Sequence, residues 1–233
     1  LGWTKENSFD IYSKKYTEAS YFYVPNKLQK QDIDSIAKKL QSYDIVIFNL
    51  GKTNIFPQKS FGVQQSHVQL IDLVNKNKKC VVNFFGSPLA IPKFFPNLKS
   101  YEAFILSHQD NLLTQKLSAE MIFGALPFLG KLPVSLSPEF KAGHGLTVPL
   151  RQVIRFGSAE NEGIDGEKLE KKIDQIVELG IKKKAFPGCQ ITVARHGSIV
   201  FQKAYGYQTY DSLIPITEES IYDVASLTKV CAS

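Results

Sequence analysis

No apolar run in the 233-residue chain reaches 18 residues, so no segment reads as a membrane-spanning helix. Arginine is scarce: it stands only at 151, 155 and 195, and the net charge of +6 rests on lysines spread over helix faces. A nucleic-acid surface clusters its cations, so no nucleic-acid partner is expected. Cysteine is limited to Cys80, Cys189 and Cys231. They are far apart, odd in number and set in apolar runs, which reads as buried free thiols, not a disulfide framework or zinc site. The chain has no glycine-rich phosphate loop, no clustered metal ligands and no internal repeat. The expectation is no cofactor and no metal. Met121 is the single methionine and Leu1 is not a start residue, so the chain is expected to begin mid-protein. A missing targeting segment then says nothing about location.

What is present divides in two. Over residues 1–150, strand-like runs recur at Tyr21-Phe-Tyr-Val24, Ile45-Val-Ile-Phe-Asn-Leu50, Cys80-Val-Val-Asn-Phe-Phe85 and Ala103-Phe-Ile-Leu106. Helical patterns lie between and after them at 32–41, 66–77 and 111–123. In the first, Ile33, Ile36, Ala37 and Leu40 form one stripe with Asp32 as N-cap; in the second, Val68, Ile71 and Val74 do so; Gly124 stops the third. Apolar strands without alternation, separated by helices, argue for an α/β fold whose parallel sheet is flanked by helices. Gly86-Ser87-Pro88 reads as a turn and not a nucleophile elbow, since the second glycine is missing and Pro88 opposes immediate helix entry. Leu132-Pro-Val-Ser-Leu136 reads as a further strand. His67 reads as a helix-start residue, and His108, His144 and His196 as loop or turn residues.

Residues 151–163 are polar and turn-rich around Gly157-Ser-Ala-Glu-Asn-Glu-Gly163, the pattern of a linker, although 148–156 allows an extended strand. Past it, 165–179 place Leu169, Ile173, Ile176 and Val177 on one helical face, with Asp165 as cap and Gly180 as a possible stop. Residues 189–194 and 199–205 flank Arg195-His196-Gly197-Ser198, which predicts a hairpin. A second helix should begin near Ala225.

That helix holds the candidate site. Ser226 and Lys229, three apart, share one helical face, and a serine needs a neighbouring base or cation because it is a weak nucleophile on its own. The spacing alone is uninformative: with 19 Ser and 25 Lys it occurs twice. The other pair, Ser35 and Lys38, falls on the polar flank of the helix at 32–41. Context separates the two. Phe186-Pro187-Gly188, the hairpin ending Tyr205-Gly206-Tyr207, Ile214-Pro-Ile-Thr217 and Ile221-Tyr-Asp-Val-Ala-Ser-Leu-Thr-Lys229 together resemble the amino-terminal part of the class C β-lactamase and penicillin-binding-protein family. The resemblance implies Ser226 as acylated nucleophile and Lys229 as the group that lowers its pKa or takes its proton. It also implies a Tyr-x-Asn element, a Lys- or His-Thr-Gly strand and an oxyanion N–H that do not occur after Lys229. An incomplete α+β segment over 164–233, inactive by itself, is therefore expected.

Residues 1–150 carry a second resemblance. Asn83-Phe-Phe-Gly-Ser-Pro88, Thr114-Gln115, Phe123-Gly124, Gly130-Lys-Leu-Pro-Val-Ser-Leu136 and Phe140-Lys-Ala-Gly-His-Gly-Leu146 are similar to the carboxy-terminal α/β domain of glycoside hydrolase family 3, in its β-N-acetylhexosaminidase branch. That implies an accessory domain whose catalytic barrel lies elsewhere in the parent. Together the resemblances imply a fragment of a bacterial cell-envelope hydrolase, periplasmic or on the cell surface. Its partners would be a missing barrel domain and the remainder of the serine-hydrolase domain, and its substrate carbohydrate or peptidoglycan-derived. Two alternatives stand beside this: a non-enzymatic α/β carbohydrate- or partner-binding module with a degenerate tail, and a complete small serine hydrolase.

Overall fold

A computed structural model describes residues 1–151, 154–227 and 229. The chain divides into two compact units, Leu1–Arg151 and Gln152–Ser233.

The first unit is built on three parallel strands, β1 (Ile45–Leu50), β2 (Lys79–Phe84) and β3 (Ala103–Leu106), in the order β1-β2-β3. Five helices surround them: α1 (Ser8–Ser13), α2 (Lys30–Leu40), α3 (Gln65–Asn75), α4 (Ile91–Phe94) and α5 (Leu112–Ile122). Side chains alternate along each strand, so Val46, Phe48, Leu50, Cys80, Val82 and Phe84 leave one face together. They meet Ile33, Ala37 and Leu40 of α2 and Val68, Ile71 and Val74 of α3 in one buried cluster. Ile47 points the other way and packs with Trp3, Phe9, Phe85 and Ala119, against α1 and α5. A sheet covered on both faces needs no polar alternation, which is why its strands are legible as unbroken apolar runs.

Four expectations need correction in this unit. Residues 21–24 form no strand: Val24 is buried, but its carbonyl accepts one bond, from the Gly2 N–H at 2.9 Å. Asp32 is not the N-cap of α2; it lies inside the first turn, and its carboxylate accepts from the Gln29 N–H at 2.8 Å. Pro88 does not block helix entry, because its fixed φ suits a first helical position. It opens a 3-10 turn, Pro88–Ala90, whose cap is the Ser87 hydroxyl. Residues 132–136 are irregular and tied back by Leu132 N–H to the His144 carbonyl at 2.8 Å. Gly124 does stop α5, at φ +84°.

The second unit is a smaller two-layer piece. Strands β4 (Arg155–Phe156), β5 (Gly188–Arg195) and β6 (Ser198–Gly206) lie in the order β4-β6-β5, with β5 and β6 antiparallel and β4 parallel to β6. The hairpin turns through His196 and Gly197, at φ 49° and 74°. Positive φ at both central residues is what matches a two-residue turn to the strand twist. Residues 151–163, expected as a linker, supply β4 and a 3-10 turn, Glu160–Glu162, and bury Ala159.

Helix α6 (Gly166–Lys182) starts on Asp165, whose carboxylate accepts the Lys168 N–H at 2.9 Å. Gly180 is not its stop. It lies inside the helix, where a Cβ would come within 2.6 Å of the Phe186 ring. The helix ends at Lys182, and Lys184 just beyond it turns the chain at φ 55°, with Ala185 N–H bonded to the Gly180 carbonyl and Lys184 N–H to the Ile181 carbonyl, each 2.9 Å. Val177 is buried, while Ile176, expected on the same face, is 71% exposed. One covered face admits the Leu169, Ile173 and Val177 stripe and leaves the neighbouring position in water. Among the described residues no helix is long and apolar enough to cross a membrane.

Candidate active site

The segment bearing Ser226 is hung from the hairpin. After β6, the chain folds back so that Gln208 N–H reaches the Ile214 carbonyl at 2.8 Å and Ile216 N–H the Gly206 carbonyl at 3.0 Å. The Gln190 side chain on β5 then grips the next turn, donating to the carbonyls of Thr217 and Ser220. Within that turn Thr217 N–H donates to the Ser220 hydroxyl at 2.9 Å. The Asp223 carboxylate accepts the Ala225 N–H at 2.8 Å and so starts a 3-10 turn, Ala225–Leu227. Ser226 is its central residue.

Lys229 is helical, and its Nζ stands 3.5 Å from Ser226 Oγ, at the outer limit of a hydrogen bond. Both side chains are exposed. A lysine accepts a proton only as the free amine, a form that burial or a neighbouring cation favours. The described residues leave Lys229 exposed, so the pair shows the required reach without a covering wall. Thr228 and Cys231 lie outside the described residues.

The other singled-out residues do not join this pair. Ser35 and Lys38 are exposed on α2. His67 is buried in the first turn of α3 with Nε2 2.8 Å from the Pro25 carbonyl, and burial lowers its pKa. His108 is an exposed loop residue at φ 53°, and His144 packs edge-on against Phe140. Cys80 and Cys189 are free, and burial raises the pKa of both thiols.

Two polar clusters in the second unit escape a reading by motif. Lys203 Nζ donates to Glu170 at 2.8 Å and to both oxygens of Asp174 at 3.0 Å, and Tyr205 OH donates to Asp174 at 2.6 Å. The bonds from Tyr205 and Lys203 hold the Asp174 carboxyl below its ordinary range. The signal was available: 203 and 205 share one strand face, and 170 and 174 one helix face. At the other end of the sheet, Glu162 accepts from Arg155 and faces His196 Nδ1 at 3.1 Å. His196 and Arg155 hold its carboxyl below the usual value of 4.5. These three residues are spread over 42 positions, and no spacing rule joins them. Each cluster fastens an element to the hairpin; neither contains Ser226.

Residues 169–233 match a family model described as Beta-lactamase. Protein flp of Staphylococcus aureus (strain N315) is 33% identical over 60 residues, which cover 26% of this chain and 12% of that protein. Esterase EstB of Burkholderia gladioli is 27% identical over 66 residues, covering 28% of this chain and 17% of that one. The chain thus spans about an eighth of the length of the flp proteins it matches. No solved structure matches it. Residues 169–233 are therefore similar to a β-lactamase-like serine hydrolase domain, and the glycosidase resemblance of residues 1–150 gains no support from these matches.

Proposed function

We propose that residues 164–233 belong to an acyl-transfer module of the serine hydrolase type, with Ser226 as nucleophile and Lys229 as its proton acceptor. The supporting observation is the 3.5 Å approach of Lys229 Nζ to Ser226 Oγ inside the matched stretch. In that reaction Oγ attacks an ester or lactam carbonyl while its proton passes to the unprotonated Lys229 amine. The acyl group stays on Oγ, and the proton goes on to the leaving group. An exposed pair performs this poorly, so the active form needs further chain to cover Lys229 and to supply oxyanion donors.

The larger reading keeps the whole chain in one enzyme. The first unit is an accessory domain of a β-N-acetylglucosaminidase of glycoside hydrolase family 3, and the parent is a bacterial cell-envelope hydrolase, periplasmic or surface-bound, acting on carbohydrate or peptidoglycan-derived material. Its support is the glycosidase-like motif series of residues 1–150 together with the parallel sheet that carries part of it. The exposure of Ser226 and Lys229 favours the second reading, a binding module whose tail does no chemistry.

The test is acylation of a longer polypeptide containing these residues by p-nitrophenyl acetate or a fluorophosphonate, followed by intact mass. One equivalent of label on Ser226, absent in Ser226→Ala and slowed roughly a thousandfold in Lys229→Ala, is the expected result. Equal labelling of Ser226→Ala overturns the assignment.

A further inference from the structure

A cavity of about 660 Å³ runs along the outer edge of β1, between that strand and residues 17–24. Strand β1 is the edge of its sheet, and among the described strands it pairs with β2. The direction of its backbone groups follows from two bonds. The Leu50 carbonyl accepts from Phe85 N–H at 2.9 Å, on the β2 side. The Asn49 carbonyl accepts from the Leu1 amine at 2.6 Å, on the open side. Alternation then turns the N–H and C=O of Ile45 and Ile47, and the N–H of Asn49, into the cavity.

Leu1 behaves as the last residue of a strand. Its nitrogen donates to the Asn49 carbonyl, and its carbonyl accepts the Gly51 N–H at 3.2 Å. A residue bonded to positions on either side of Leu50 in this way is a parallel-bridge partner. On its far side Gly2 N–H donates to the Val24 carbonyl at 2.9 Å. Residues 1 and 2 therefore stand between β1 and the apolar run Tyr21-Phe-Tyr-Val24. Phe22, Tyr23 and Ile45 remain exposed beside the cavity.

We infer that this cavity is a strand slot. It takes an extended apolar segment of about five residues, joined to the nitrogen of Leu1 and running parallel to β1, which turns an edge into the interior of the sheet. The residue two places before Leu1 would donate to the Ile47 carbonyl and accept from Asn49 N–H; the residue four places before would do the same between Ile45 and Ile47. Leu40, Val46 and Leu70 line the cavity on the α2–α3 face, and Trp3, Phe9 and Phe123 on the α1–α5 face. Apolar residues thus line both faces, alongside Asn7, Asp10 and Ser13, so the incoming strand is mainly apolar and does not follow a strict alternation.

The charge at Leu1 agrees with an amide at that point. Burial pushes its amine down to about 5, as expected for an ammonium in a site shaped for a peptide N–H. An apolar edge of this length left open also invites pairing with other chains.

The experiment extends the chain at Leu1 with Val-Ala-Val-Ala-Val, with Val-Ala-Val-Pro-Val and with Gly-Ser-Gly-Ser-Gly, and compares each with the 233-residue chain. The readouts are the thermal midpoint, amide exchange at Ile47 and Asn49, and molecular mass at two concentrations. The first extension should raise the midpoint and slow exchange at both amides roughly a hundredfold. The proline extension has the same apolar character but lacks the N–H aimed at Ile47, so it should recover little of this, and the glycine-serine extension none. Equal stabilisation by the proline extension would mean a hydrophobic groove without strand pairing, and overturns the slot. Slow exchange at Ile47 and Asn49 in an unextended chain that is dimeric would assign the edge to a second copy, and also overturns it.

Discussion

The two units use apolar residues in similar patterns and bury them to different extents. In the first, Phe84, Phe85, Leu70 and Val82 are fully shielded, with Phe84 set against Phe95 and Phe104 at ring separations of 5.8 and 6.4 Å. In the second, most apolar positions of β5 and β6 are half-exposed, and Ile221 is 98% exposed. The difference lies in layering, not composition. A sheet with helices on both faces shields side chains of both parities, whereas a hairpin with α6 on one face leaves its other parity uncovered. Polar groups differ in the same way. The first unit encloses Asn83, whose amide donates to Asn49 at 2.8 Å and Ser118 at 2.7 Å and accepts from Ser107 at 2.7 Å. The second ties α6 to β6 through the charged cluster around Lys203, and ties the Glu160–Glu162 turn to β4 and the hairpin turn through Glu162.

Truncation separates the units most strongly. Phe84→Ala should cost the first unit about 3–5 kcal/mol, and Phe201→Ala the second only about 1–2 kcal/mol, measured by denaturant unfolding. Comparable losses would erase the distinction. Asn83→Ala comes next: it leaves Ser107, Ser118 and Asn49 without their shared partner in a dry core, at a cost of about 3 kcal/mol.

Acidification should separate the units by pH window. His67 is a base held below its ordinary value of 6.5 by burial. The unfolded chain binds its proton first, so first-unit stability falls as pH drops below about 6.5. Asp10, raised by burial, opposes this at lower pH by gaining its proton first in the folded form. The second unit depends on Glu162 and Asp174, both held below their ordinary values. Their contribution is complete above the ordinary carboxylate range and is lost only as pH falls below it. Segment-resolved exchange at pH 8, 5.5 and 3.5 checks the order; early loss at β5 and β6 would reverse it. The smallest effect is expected at Ile176→Glu, on the open side of α6, within about 0.5 kcal/mol of no change.

Legibility in the sequence followed the same division. Strands β1, β2 and β3 and helices α3 and α5 were readable because burial on two faces leaves long apolar runs and clean helical stripes. The β5–β6 hairpin was readable from Arg195-His196-Gly197-Ser198, a turn whose backbone demands are local. Residues 21–24 misled because an apolar run records burial without recording a partner strand. Gly180 misled because a glycine serves close packing, here beneath Phe186, as readily as a helix stop. The approach of Ser226 to Lys229 was readable from helical spacing. Its exposure was not, since burial depends on what lies across from it.

Amide exchange by segment in the dilute 233-residue chain tests the contrast most directly. The account predicts that the amides of Lys79–Phe84, central in the first sheet, exchange at least roughly a hundredfold more slowly than those of Gly188–Arg195 on the open edge of the second. Equal protection of the two strands in a monomer would contradict it.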